Sequence, residues 1–262
     1  MGDRAELRVT PDVIEILAAH ADASEKARQL APESVKGMRD AGLFRALVPK
    51  SHNGLELSLG QAARLIRDCM AGCSAAGWVL MVSAGHDWML GAFPHAVQDE
   101  IWADGPDQVT PGALAPQGDL VPAQGGFNMT GRWSFNSGAA HGSWFILGAA
   151  DRTGDKPRLF HTMVPRADLN FDDNWFVLGL EGTGSIDITV ENLFVPKHRT
   201  LDSRDLFGGR SKWAERHATN VYKTPVFSGL SSILASAMLG IAENGLEAAK
   251  ALIFDQKDRY TG

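Results

Sequence analysis

The side chains with the clearest chemical use close one short stretch, residues 125–141, GGFNMTGRWSFNSGAAH. Phe127, Met129, Trp133 and Phe135 alternate with smaller or polar residues, the period of a half-buried strand. The run ends in Asn136-Ser137-Gly138, where polar side chains and thin backbone could meet a flat ligand. On spacing alone, Ser137 reads better as a turn residue ahead of Gly138. His86 is the second group. It lies within the apolar run Ala75–Phe93, with Trp78, Val82 and Leu90 at steps of four. A neutral imidazole can accept a proton from an acidic hydroxyl. Taken alone, a histidine on an apolar helix is usually a core residue satisfied by a backbone carbonyl. Asp87 points about a quarter-turn away on a helix, which makes it a doubtful partner for that ring.

The elements that must position these residues fall into three textures. Thr10 can cap a helix that opens with Pro11 and Asp12. A second helix opens at Pro32 and should end at Gly42. Ser58 and Gln61 form a capping-box pattern ahead of Leu59, Ala62, Ile66 and Met70 at helical spacing. The buried run 75–93 follows, then a helix from Pro94. After Pro106 the chain turns rich in Gly, Pro, Thr, Val and Phe. Strands are expected at 108–115, 126–136, 144–150, 158–165, 170–177 and 183–195, with turns such as Gln117-Gly118-Asp119 between them. This predicts an α+β chain: an N-terminal all-helical domain (1–107), a β-barrel domain (108–200), a linker (201–224) and one long helix (225–262). That helix is apolar on more than one face and wants helical neighbours, from a partner chain or from a longer protein.

Composition bounds the reading. The chain has 262 residues, 44% hydrophobic and 21% charged, ordinary for a soluble globular protein. A net charge of −6 argues against a nucleic-acid or acidic-membrane surface. Cys69 and Cys73, the two cysteines, cannot form a metal tetrad, so no metal site is expected. Reduced thiols in a cytoplasmic protein is the preferred reading, and no apolar signal-peptide core follows the charged N-terminus. His86 and Asp87 interrupt Ala75–Phe93, which favours a buried helix over a membrane span. There is no G-x-S-x-G elbow, P-loop or H-E-x-x-H motif. Gly179-Leu-Glu-Gly182-Thr-Gly184 has the wrong spacing for a dinucleotide fingerprint and reads as a turn.

The order helices, barrel, helices resembles the acyl-CoA dehydrogenase superfamily. GRWSFNSGAAHGSWFILGA (131–149) is similar to its flavin-dependent aromatic monooxygenase branch, the oxygenase components of two-component hydroxylases. LFRALVPKSHNGLEL (43–57), CSAAGWVLMVSAGH (73–86) and WFVLGLEGTGSIDITVENLFVP (175–196) agree. The resemblance implies an enzyme that takes reduced FMN or FAD from a separate flavin reductase. It would use O₂, through a flavin C4a-hydroperoxide, to hydroxylate a small aromatic, phenolic substrate. It implies catalytic roles for Ser137, bonded to flavin N5, and His86, facing the substrate hydroxyl. Thr110, Gly112, Trp133, Phe135, Asn136 and Arg259 would contact the cofactor, and Trp78 and His141 the substrate. A homotetramer is also implied.

Two departures matter. Dehydrogenases of the superfamily show Thr-Glu-Pro and Gly-Ser-Asp where this chain has TPGALAPQGD, which weakens an acyl-CoA dehydrogenase reading. Some phenol hydroxylases carry a substrate-contacting Ser near Gly112, absent here. Members of the family continue past the point matched by Gly262 with the rest of a four-helix bundle, where a second active-site His lies. The alternatives are an acyl-CoA dehydrogenase-like flavoprotein and a truncated, non-catalytic homologue.

Overall fold

The structure is a computed structural model that describes the backbone of residues 8–261 and side chains through residue 254. Six helices come first: α1 (Pro11–Ala19), α2 (Ala21–Ala27), α3 (Pro32–Asp40), α4 (Leu59–Gly72), α5 (Ser74–Leu90) and α6 (His95–Ile101). Pro11 and Pro32 open α1 and α3, where a missing N–H is harmless. Thr10 makes no side-chain cap bond. Ser58 and Gln61 form the complete reciprocal box on α4. Gly42, with φ of 67°, turns the chain after α3. α5 is apolar on all sides and buried along nearly its whole length, as a central helix must be.

Seven strands follow: β1 (Gly112–Ala123), β2 (Gly126–Trp133), β3 (Trp144–Asp151), β4 (Arg158–Pro165), β5 (Asn170–Asp172), β6 (Asp187–Pro196) and β7 (Thr200–Asp202). They form one sheet in the order β5-β6-β2-β1-β3-β4-β7. β1 runs antiparallel to β2 and parallel to β3, with Gly112 opposite Ile146. The α+β class holds, but the expected barrel is not closed. The outer strands β5 and β7 are three residues long and pair only with β6 and β4. Closure would require those two to pair with each other.

Other differences have local causes. Gln117-Gly118-Asp119 lies inside β1 rather than in a turn. Trp133 lies over Gly118, where a Cβ would meet its ring at 2.2 Å, and the β1–β3 register shifts between Ala113 and Gly118. The strand expected over 170–177 ends at Asp172, because the Asn174 side chain accepts the Asp187 N–H at 3.0 Å in place of a ladder bond. Residues 201–224, read as linker from their polarity, carry the end of β7 and α7 (Ser203–Phe207) and are packed down. Tyr222 is buried with its hydroxyl on the Leu47 carbonyl at 3.1 Å.

α8 (Val226–Thr261) finds its helical neighbours within the chain. It lies along α4 and α5, burying Ile233 and Ala237. The Arg67 guanidinium bonds Glu243 at 2.7 Å, and the Asn244 amide donates to the Met70 carbonyl at 2.9 Å. By length and composition Val226–Phe254 could also span a membrane, at mean hydropathy 1.5, and Phe227, Leu239 and Leu246 on it are exposed.

Two glycines of α8 differ in their surroundings. A Cβ on Gly229 would meet the Trp88 ring at 2.2 Å, and that ring is fully buried and held by its Nε1–H on the Val221 carbonyl at 2.7 Å. Gly245 has open space. Gly229→Ala is therefore expected to destabilise the fold by about 1–3 kcal/mol through overpacking. Gly245→Ala should stabilise it by up to about 1 kcal/mol through helix propensity. Urea denaturation of the two variants checks the opposite signs.

Candidate active site

α5 supplies one wall of a cavity of about 360 Å³. Trp78, Val82 and His86 recur every fourth residue and so share one face of the helix. Gly112 and Leu114 at the start of β1 form the floor, and Leu230 and Leu234 of α8 close a side. A Cβ on Gly112 would lie 2.0 Å from the Ile146 carbonyl, so only glycine lets β1 pair so closely with β3 here. The segment after β2 brings Phe135 and Ser137, and the loop before β6 brings Trp175, Leu180, Thr183 and Ser185. Lining this apolar with few polar groups suits a flat aromatic ligand.

His86 is held from behind. Its Nδ1 lies 2.7 Å from the Thr110 carbonyl. A carbonyl can only accept, so Nδ1 carries the proton and Nε2, at the cavity, keeps its lone pair. Burial pushes the imidazole pKa down to about 4, against the smaller raising effect of that bond, so the ring is neutral at pH 7. Thr110 is gripped twice more from α5. Its N–H donates to Ser83 Oγ at 3.0 Å, and its Oγ1 donates to Asp87 Oδ1 at 2.7 Å. Asp87 thus does not touch the His86 ring but fixes the residue that orients it. Burial raises the Asp87 carboxyl well above the usual range, and its Oδ2 has no partner.

Ser137 is positioned by a strained turn. Phe135 has φ of 67°, a conformation that costs a bulky residue on the order of 1–3 kcal/mol. Asn136 holds it there. Its side-chain amide donates to the Trp133 carbonyl at 2.7 Å and the Ile186 carbonyl at 3.0 Å. The Gly138 N–H donates to the Thr183 carbonyl at 2.7 Å. Phe135 is thereby turned outward, 69% exposed, with its ring edge-on to Trp175 at 5.9 Å. Ser137 Oγ receives the Trp78 indole N–H at 3.1 Å and lies 2.7 Å from Ser185 Oγ.

The structure therefore brings His86, Ser137, Trp78, Phe135 and Gly112 to one cavity. Four other candidate residues lie behind it. Trp133 is fully buried among the strands, its indole on the Gly148 carbonyl, because its side chain points to the face opposite that of a ligand wall. Asn136 and Thr110 use their polar groups on backbone and on α5. His141 does not line the cavity; its Nε2 is buried without a partner, and burial lowers its pKa against a smaller raising effect of the Leu30 backbone. The side chain of Arg259 lies outside the described residues. Thr183, Ser185 and Trp175 escaped sequence reasoning. The Thr-Gly-Ser step in the glycine-rich turn was the available signal: Glu181–Thr183 form one helical turn between left-handed Leu180 and Gly184, which aims both hydroxyls inward. Cys69 and Cys73 are buried free thiols with pKa raised by burial. Among the described residues no cluster of three His, Cys, Asp or Glu side chains could hold a metal ion.

No family model matches the chain. It is 32% identical over 248 residues to a pigment production hydroxylase of Rhodococcus sp. (strain ATCC 21145), covering 94% of this chain and 63% of that protein. It is 30% identical over 233 residues to the oxygenase subunit HsaA of a flavin-dependent monooxygenase of Rhodococcus jostii (strain RHA1), covering 88% and 61%. The solved structure of 3-HSA hydroxylase from Rhodococcus sp. RHA1 superposes with a TM-score of 0.88 at 28% identity, over 96% of this chain and 64% of that one. The chain thus spans less than two thirds of the length of the relatives it matches.

The buried ionisable groups make stability depend on pH. His86 and His161, both buried, have pKa values lowered to about 4, so the unfolded chain binds more protons than the folded one between about pH 6.5 and 4. Their contribution is complete above about pH 6.5 and is lost as pH falls through that window, by up to ~3 kcal/mol per histidine. Asp87 has the opposite sign: its raised pKa makes the folded state lose stability as pH rises. Urea titrations from pH 4 to 8 should show the acid-side fall, shallower in His161→Asn. The gap between Asp87→Asn and the parent should move in the variant's favour as pH rises. Asp87→Ala, which orphans the Thr110 hydroxyl, should cost about 1–3 kcal/mol throughout.

Proposed function

We propose, from its likeness to the oxygenase components of flavin-dependent monooxygenases and their acyl-CoA dehydrogenase-like fold, that this chain hydroxylates a small phenolic substrate with reduced FMN or FAD and O₂. The observation that carries the reading is the convergence of His86 and Ser137 on one apolar, aromatic-walled cavity. The lining fits a flavin ring: flat walls from Trp78, Phe135 and Trp175, and a small cluster of hydroxyls at Ser137, Thr183 and Ser185. No Lys or Arg is among the lining residues, so the cofactor phosphate would be held elsewhere, with Arg259 the candidate. Bound reduced flavin would supply the two electrons that let O₂ give one oxygen atom to the substrate and one to water.

His86 would meet the substrate hydroxyl through Nε2. A pKa near 4 makes full proton transfer from a resting phenol unfavourable, so the ring first accepts a hydrogen bond and orients the substrate. It takes the proton as positive charge develops on the attacked ring. Thr110, bonded to Nδ1, keeps the tautomer and orientation correct. Ser137 would bond the flavin at N5, and the apolar walls exclude the water that would carry the N5 proton away. The reduced flavin would come from a separate reductase, in a cytoplasmic setting. A homotetramer is supported by the exposed Phe227, Leu239 and Leu246 of α8. Helices to residue 107 and strands in 108–200 would form distinct domains, with 201–224 joining the strands to the long helix that follows.

Ser137→Ala is expected to raise the share of consumed oxygen that appears as hydrogen peroxide, at unchanged flavin reduction by the reductase. His86→Ala should retain flavin binding and lower hydroxylation by about 10²–10⁴-fold. Oxygen-electrode and peroxide assays with a phenol panel measure both. Coupling unchanged in Ser137→Ala would remove Ser137 from the mechanism.

A further inference from the structure

Beside Ser137 runs a chain of hydroxyls whose hydrogens can be placed one by one. Thr183 Oγ1 lies 2.8 Å from the Leu180 carbonyl, which can only accept, so the single Thr183 hydroxyl proton points there. Ser185 Oγ lies 2.7 Å from Thr183 Oγ1 and must therefore donate to it. Ser137 Oγ lies 2.7 Å from Ser185 Oγ and must in turn donate to that. The Trp78 indole, a donor only, gives its N–H to Ser137 Oγ at 3.1 Å. All three hydroxyl groups are buried. Reversing the relay would face the lone pairs of Thr183 Oγ1 and the Leu180 carbonyl at 2.8 Å. The Ser137 proton is thus committed to Ser185 and is not available to a ligand. One of its lone pairs takes the indole, and the other is left for a ligand.

We propose that this relay makes the cavity select its flavin by redox state, with Ser185 and Thr183 as positioning residues that force Ser137 to be an acceptor at N5. The inference rests on the flavin reading above. Reduced flavin carries a hydrogen on N5 and can donate to Ser137. Oxidised flavin has only a lone pair there and would meet another lone pair. An unpinned serine hydroxyl would rotate and serve both forms, so the discrimination comes from Ser185 and Thr183 rather than from Ser137 itself. A site of this kind takes up cofactor as a donor and releases it once N5 has lost its hydrogen.

The test is binding, without turnover. FMN and FAD are titrated into the full chain, oxidised in air and reduced under anaerobic conditions. The parent, Ser185→Ala, Thr183→Val and Ser185→Thr are compared, with thermal unfolding as the check on folding. The parent is expected to bind the reduced form at least tenfold more tightly. Ser185→Ala and Thr183→Val each release the Ser137 hydroxyl and should shrink that ratio by about tenfold, chiefly by tightening the oxidised form. Ser185→Thr keeps a hydroxyl in line and should keep the ratio. An equal loss of both forms, with the ratio unchanged in both Ser185→Ala and Thr183→Val, would mean that the relay is only structural and would overturn the proposal. If the parent binds neither form, the flavin reading itself fails and this inference with it.

Discussion

The grip of α5 on Thr110 is the contact on which the site depends. α5 is buried and apolar on all sides, so a strand approaching it must have its backbone polar groups satisfied by the few polar side chains that helix carries. Ser83, His86 and Asp87 supply those partners at its C-terminal end, one each for the N–H, carbonyl and hydroxyl of a single residue. The helix thereby sets where the chain enters β1, and with it the place of Gly112 in the cavity floor. The same bond decides the chemistry of His86. Donation from Nδ1 leaves Nε2 as an acceptor, and the burial that keeps the ring neutral also keeps it available.

The opposite wall is set by two loops that fold into each other. The turn after β2 and the turn before β6 exchange backbone and side-chain bonds through Asn136, Gly138, Thr183 and Ile186. Neither turn is comfortable by itself: Phe135 and Leu180 both sit at positive φ without being glycine. Together they over-determine each other, which is the circumstance in which strained backbone persists. The strain exposes an aromatic ring at the rim and places a hydroxyl at the base. A residue that looks like a ligand contact in sequence, Asn136, is the brace that makes this possible.

Much of this was legible in the sequence. Helix starts at Pro11, Pro32 and Ser58, the buried run around His86, and the strand-rich texture after Pro106 follow from local chemistry that does not need the fold. The motif around Ser137 and the helix carrying His86 meet at one cavity, and the motif could be read because its residues are contiguous. The open sheet was not legible, because closure depends on whether the two outer strands pair with each other, a long-range contact that no local pattern encodes. Thr183 and Ser185 were not legible as site residues either: Gly179–Gly184 reads as a turn, and it is one, but nothing local says which way a turn aims its hydroxyls.

The sequence by itself therefore determined the kinds of element, their order and the residues able to do chemistry. Periodicity, capping and turn chemistry are short-range effects, and they are written in neighbouring residues. Tertiary structure alone decided which polar groups face the cavity and which are used up behind it. Trp133 and Asn136 were drawn into the supporting framework because their side chains found buried backbone carbonyls, and Thr110 because side chains of α5 took up its polar groups. His86 and Ser137 each kept one lone pair for the cavity because the bonds behind them fixed where their protons go. That allocation depends on contacts between residues up to 59 positions apart, as from Trp78 to Ser137, and no local pattern encodes it.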